Sequence, residues 1–216
     1  DLLAGLYGAK VPLAFAVRGE AAGVTIQLGT WIKGHTATVD TVQLDKQQHV
    51  VRAVLSAAYD AVEVWPGTST SRLLSQGGVV LGIPAVKPPD ASDLLLPLDR
   101  LIRAMAGSDW EILILAEPLV EDVVFEMRRR VLAEMLLVQK EALETRLPSP
   151  LAEHHQQLLR YTLKAYTTGQ AVGMWRTAVY LLGSDTSYSR LASVWRSLYA
   201  GTQSLPEPLR VWDCQD

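Results

Sequence analysis

From Glu121 to about Thr145 an apolar residue returns every three or four positions, at Val124, Met127, Val131, Met135 and Val138. That spacing gathers all five on one stripe of a helix about seven turns long. After a proline-bounded break at Arg146 to Pro150 the pattern resumes through Leu151, Leu158, Leu159, Thr162, Ala165 and Tyr166, and it stops at Gly169. Two long amphipathic segments with so short a break between them form a helical hairpin. Just upstream, Trp110 to Ala116 carries Ile112, Leu113, Ile114 and Leu115 without interruption, and Pro118 closes it. An unbroken apolar run of that length predicts a central strand covered on both faces. Downstream, Trp175 to Leu182 reads as another strand. A helical pair set between two strands predicts a layered α+β domain, with a mixed sheet and packed helices.

The remaining elements follow from local signals. Pro12 to Arg18 and Val24 to Trp31 are β-rich runs separated by Gly19 to Gly23, which predicts a β-hairpin. Lys33 to Leu44 shows no period; Val50, Val51, Val54, Leu55 and Ala58 then place a helix over Lys46 to Val62. A short helical turn is expected around Ser71 to Ser75, before Gly77 and Gly78 open an apolar strand that ends at Lys87, Pro88 and Pro89. Pro97 suits the first turn of a helix bearing Leu98, Leu101, Ile102 and Met105, with Gly107 as its stop. Ser184 or Asp185 caps a helix carrying Tyr188, Leu191, Ala192, Trp195, Leu198 and Tyr199, and a last strand is expected at Leu209 to Trp212. Residues 1–216 read as one interconnected unit, and the place for a subdomain boundary, if there is one, is 87–93.

With 49% hydrophobic residues the chain can bury a core, so disorder is not its dominant state. A net charge of −3 gives no global pull toward nucleic acid or an anionic membrane. The lone Cys214 excludes an intrachain disulfide and a cysteine zinc site, and fits a reducing, cytoplasmic compartment. Apolar runs such as Val79 to Val86 fall far short of the roughly 20 residues of a membrane-spanning helix. The chain starts at Asp1 rather than Met, without a secretory signal, and Val211 to Asp216 reads as a strand beginning. Both ends are therefore expected to be cuts in a longer polypeptide.

Candidate chemistry is sparse. No segment matches the G-x-x-x-x-G-K-[ST] phosphate loop or a dinucleotide fingerprint, and Gly77 and Gly78 precede a strand instead of opening a helix. His154 and His155 stand beside Glu153, but adjacent helical positions point about 100° apart and do not converge on one ion. His35 and His49 have no carboxylate at a diagnostic spacing. Gly67 to Ser71 offers hydroxyls after a glycine but lacks the second glycine and the preceding strand of a nucleophile elbow. Cys214 has no basic neighbour to activate it. The six tryptophans fall mostly on apolar faces, where packing explains them better than base stacking. No catalytic, cofactor-binding or metal residue is assigned. The one candidate interaction surface is Arg128, Arg129 and Arg130, a positive cluster diluted by Glu121, Asp122, Glu126 and Glu134 on the same helix.

Two stretches carry a family resemblance: Gly173, Met174, Trp175 leading into Val179, Tyr180, Leu181 and Leu182, then the capped helix, then Gly201 to Leu209 with Pro206 and Pro208. Together with Trp110 to Leu119 and the long helical pair, they resemble the region preceding the motor domain in ATPases of the HerA, VirB4 and FtsK superfamily. The resemblance spans roughly residues 100 to 213 and rests on pattern and order. It implies a hexameric, ATP- and Mg-dependent translocase of DNA or protein, a homo-oligomer with a protein partner, and DNA reached through the parent motor. The Walker lysine and acidic residues of that motor have no counterpart in these 216 residues, so no ATP or Mg site is expected here and no catalytic residue carries over. The expectation is a non-catalytic N-terminal assembly and docking region. The alternative is a stand-alone adaptor using Glu121 to Gly169 as its interface, and the third reading is an enzyme whose site is built from residues distant in sequence.

Overall fold

In a computed structural model of the chain, the described residues are 2–32, 41–59, 74–85, 96–145, 150–201 and 207–214. In chain order they form α1 (Leu2–Gly8), β1 (Leu13–Glu20), β2 (Gly23–Gly29), α2 (Thr41–Ala58), β3 (Gln76–Leu81), α3 (Pro97–Ala104), β4 (Trp110–Pro118), α4 (Glu121–Thr145), α5 (Pro150–Val172), β5 (Trp175–Gly183), α6 (Asp185–Tyr199) and β6 (Arg210–Asp213). The six strands make one sheet in the order β2-β1-β4-β5-β3-β6. The α+β class and the long helical hairpin are as expected. The sheet is not mixed: every described pairing of neighbours is antiparallel.

The connections explain this. A pair of helices returns the chain to the end of the sheet it left, so β5 runs back beside β4. A single helix carries the chain across instead, so β4 runs parallel to β3 and β6 parallel to β5, each one place removed. The gap in each of these units is filled by a strand of the other. Two interlocked crossovers of this kind make the β-α-β-β-α-β, ferredoxin-like arrangement, here extended by the β1–β2 hairpin on the β4 edge. Strands on both sides of 87–93 belong to this one sheet, although that stretch itself lies outside the described residues.

Side chains alternate between the faces of a strand, and the register sorts them. One face presents Phe15, Val17, Trp110, Ile112, Ile114, Val179 and Leu181 to α3 and α6, where Leu101, Met105, Tyr188, Leu191 and Trp195 complete the main core. Farther along the same face, Leu13 and Ala116 pack with Leu6 of α1 and Val51 of α2. Ser187 locks the start of α6: its hydroxyl accepts from Ser184 N–H (2.8 Å) and donates to Asp109 O (2.7 Å). Ser184 is the residue preceding the helix, one of the two expected there.

Some boundaries differ from expectation. α2 starts at Thr41, in the stretch that showed no period, and its described part ends at Ala58. α5 continues through Gly169 to Val172, because Gly169 lets the helix pass against Met174, whose Cβ would lie 3.1 Å from an added methyl. The turn expected near Ser71 to Ser75 falls mostly outside the described residues, as do the end of the β3 strand run at 87–89, His35 and Gly67 to Ser71.

Candidate functional site

The chain's most distinctive feature begins where β4 and β5 stop. Pro118 is paired with Trp175, and Leu119 N–H extends the ladder to Met174 O at 2.8 Å. The 25-residue α4 and 23-residue α5 are thus inserted at the turn of a β-hairpin. Among the described elements their main packing is on each other, so they project from the sheet as an arm.

The root of the arm is braced by α1. Tyr7 donates its hydroxyl to Leu119 O (2.8 Å) and sets its ring edge-on to Trp175, centroids 6.0 Å apart. Gly173 sits at φ +98°, and a Cβ there would fall 2.5 Å from Tyr7 Cγ. Only glycine meets both demands. Beside this brace lies a cleft of about 420 Å³, lined by Tyr7, Lys10, Pro12, Glu117 and the Pro118 to Asp122 segment. Its carboxylates do not converge: among the described residues no three His, Cys, Asp or Glu side chains are grouped to hold a metal ion.

Along the arm Val124 and Val138 of α4 are buried, and Arg128, Val131 and Met135 between them are partly buried. This is the 4-3-4-3 spacing of a coiled-coil seam. Met127, expected in the stripe, is exposed, and Arg128 occupies the seam with its Nε buried and without a hydrogen-bond partner. On α5 Leu159 is buried, whereas Leu151, expected in the stripe, is 77% exposed. The arginine cluster is therefore split. Arg128 turns inward, while Arg129 and Arg130 both bind Glu126, at 2.9 and 3.2 Å. Arg129 and then Arg130 hold the Glu126 carboxyl below the usual range, and Glu126 in turn raises Arg129. Three charges that looked like one patch become a salt-bridged face plus a seam residue.

The other sequence candidates are scattered. His155 Nε2 meets Glu134 Oε1 across the hairpin at 3.1 Å rather than joining His154. His49 lies on α2, and Cys214 is exposed, its backbone N–H bonded to Gly77 O. Gly77 and Gly78 are strand residues of β3, and Gly78 is small because Tyr188 Oη packs against it. That tyrosine donates to the Asp213 carboxylate, tying β6 to α6, and burial followed by this bond pushes its pKa well above the ordinary value.

The second face of the sheet was not anticipated. Opposite the covered side, Leu113, Leu115, Tyr180, Leu182 and Val79 are only half-buried, Leu81 is 38% exposed and Trp212 is 67% exposed. None of the described helices packs there. The apolar run in β4 is central, as expected, but among the described elements helices cover only one of its faces. On the bare face Arg18 pairs with Glu111 (3.0 Å) and Arg176 with Glu117 (3.6 Å) across strands, and Arg210 stands exposed on the edge strand beside Leu81. Half-burial with alternating apolar residues was legible only once the register was known.

Among the described residues no helix is long and apolar enough to cross a membrane. Comparison with protein-family models, with curated proteins and with solved structures finds no match.

Proposed function

We propose that this chain is an assembly and partner-docking domain, and that it forms the N-terminal, non-catalytic region of a ring ATPase of the HerA, VirB4 and FtsK kind. In this reading it works in the cytoplasm, in a homo-oligomer whose motor moves DNA or protein. The observation that carries the docking part is the pair of apolar surfaces without a described cover: the arm, which bears nine of the nineteen exposed large hydrophobic side chains among the described residues, and the bare sheet face. Exposed apolar area on this scale marks a surface that binds protein.

What supports the ATPase part is the order of elements behind the resemblance. Gly173 to Leu182 is the brace glycine and β5, the capped helix is α6, and the proline-containing connector precedes β6. In this reading nucleotide and Mg are bound by the motor domain of the parent polypeptide. The test is the coding sequence beyond Asp216: a G-x-x-x-x-G-K-[ST] loop in the next domain supports the reading, and its absence there removes the ATPase part. The docking part would then stand as an adaptor that uses the arm.

A further inference from the structure

Two apolar surfaces that no described element covers occur in one chain, a helix stripe and a sheet face. We infer that each is the other's partner between two copies: the arm of one protomer lies across the bare sheet face of a second, and the second returns the same contact, in a two-fold dimer. The inference rests on the docking reading and is independent of any motor domain.

On α4, Phe125, Leu132 and Leu136 are 57, 39 and 66% exposed. Spaced by seven and four, they fall on one side of the helix, about 100° from the seam. On the sheet, Leu113, Tyr180, Val79 and Trp212 stand opposite one another in one cross-strand row, with Trp212 on the edge strand. An exposed tryptophan ending an apolar row is the residue type that anchors interfaces. The arm does not reach its own row: its root continues the β4–β5 ladder and is held by Tyr7, and among the described elements the two helices pack mainly on each other.

Charge selects the occupant. Arg18 and Arg176 on the sheet face are each bound to a glutamate, Arg129 and Arg130 on the arm share Glu126, and the one further arginine of the described face, Arg210, lies at its β6 edge. A nucleic acid needs a row of uncompensated cations, whereas an apolar helix docks on such a face without stranding a charge. Area selects the symmetry. A helix of 25 residues is about 37 Å long, and the strands are spaced about 4.8 Å. One crossing thus hides roughly 450 Å² per partner, about 900 Å² in total, just below the roughly 1,000 Å² of a specific interface. Two reciprocal crossings reach about 1,800 Å² and close the assembly, leaving no unpaired end.

The test is sedimentation of residues 1–216 over about 1 to 100 μM, which spans the affinities expected for interfaces of this size. The wild-type chain sediments at twice 23.7 kDa. Leu132→Glu on the arm and the double change Leu81→Ser with Trp212→Ser on the face each weaken association at least ~100-fold, as loss of both contacts requires. An equal mixture of the arm variant and the face variant regains weak association at the upper end of this range, where neither variant alone associates, because one intact arm meets one intact face. A wild-type monomer across this range overturns the inference. So does loss of association in only one variant, which would mean arm on arm or face on face, and so does a mixture that associates no more than either variant alone at about 100 μM. Circular dichroism checks folding, and if Leu132→Glu unfolds the chain, Phe125→Ser takes its place with the same outcomes.

Discussion

Leu181 and Leu182 are neighbours in sequence, share a strand and carry the same side chain, yet Leu181 is fully buried and Leu182 is not. The same contrast separates Ile112 from Leu113 one strand away. Composition does not distinguish the two faces of this sheet; register and the placement of four helices do. The covered face holds the fold together. The other face has no described helix over it, and its apolar side chains are less enclosed.

The largest expected effect tests that contrast directly. Leu181→Ala removes a fully enclosed side chain and leaves a cavity, a loss of about 3 kcal/mol, whereas Leu182→Ala costs about 1 kcal/mol or less in the monomer. Urea unfolding of the two variants measures the difference. Equal losses would mean that the second face is as well packed as the first, and the comparison would fail.

The arm root comes next. Gly173→Ala forces a non-glycine residue to φ +98° and drives a methyl into the Tyr7 ring. A loss of about 2 kcal/mol is expected, combining backbone strain with the displaced aromatic. Tyr7→Phe removes only the hydrogen bond to Leu119 O and should cost about 1 kcal/mol. If both leave the melting temperature unchanged, the arm is not anchored to the body through α1.

These residues also show how far the sequence could be read. The helical hairpin and the central strand were legible because their apolar periods are long and unambiguous. The seam of the arm was not. From Val124 to Val131 both Met127 and Arg128 satisfy a three-four spacing, and hydropathy favours the methionine. The supercoil of two packed helices selects Arg128 instead, whose long aliphatic stem can line an apolar seam. Strand order was equally hidden, since nothing local says that β5 slips between β3 and β4. The Tyr7 brace joins residues 112 positions apart and leaves no periodic trace. The arginine cluster was legible as charge but not as geometry.

A smaller effect belongs to the edge of the covered face, where Tyr188 holds β6. Tyr188→Phe leaves the ring in the core and deletes the bond to Asp213, at a cost of about 1 to 2 kcal/mol. The pH dependence is the sharper readout. The folded state raises this tyrosine's pKa, so its contribution is fully present below the unfolded value near 10 and is lost as pH rises from there toward the folded value. Wild-type stability should therefore fall above pH 10 with a component of about 1.4 kcal/mol per pH unit that Tyr188→Phe lacks. Parallel alkaline unfolding curves for the two proteins would sink this assignment.

The smallest effect lies on the arm surface, and its smallness is informative. Glu126 binds Arg129 and Arg130 on a solvated helix face, and these two partners, Arg129 foremost, depress its pKa. The group is ionised more readily in the folded arm than in the unfolded chain. Its contribution is thus present above the ordinary carboxyl pKa and is lost as pH falls through the lowered folded value. Exposed pairs of this kind are screened by solvent and salt, so Glu126→Gln should leave global unfolding at neutral pH unchanged. The carboxyl carbon of Glu126, followed by NMR, should titrate below the usual carboxylate range and return to it when Arg129 and Arg130 are both replaced by alanine. A midpoint indifferent to those arginines would release them from Glu126 and make them free cations. The arm would then offer a positive surface, and the apolar fit between arm and sheet face would lose its electrostatic argument.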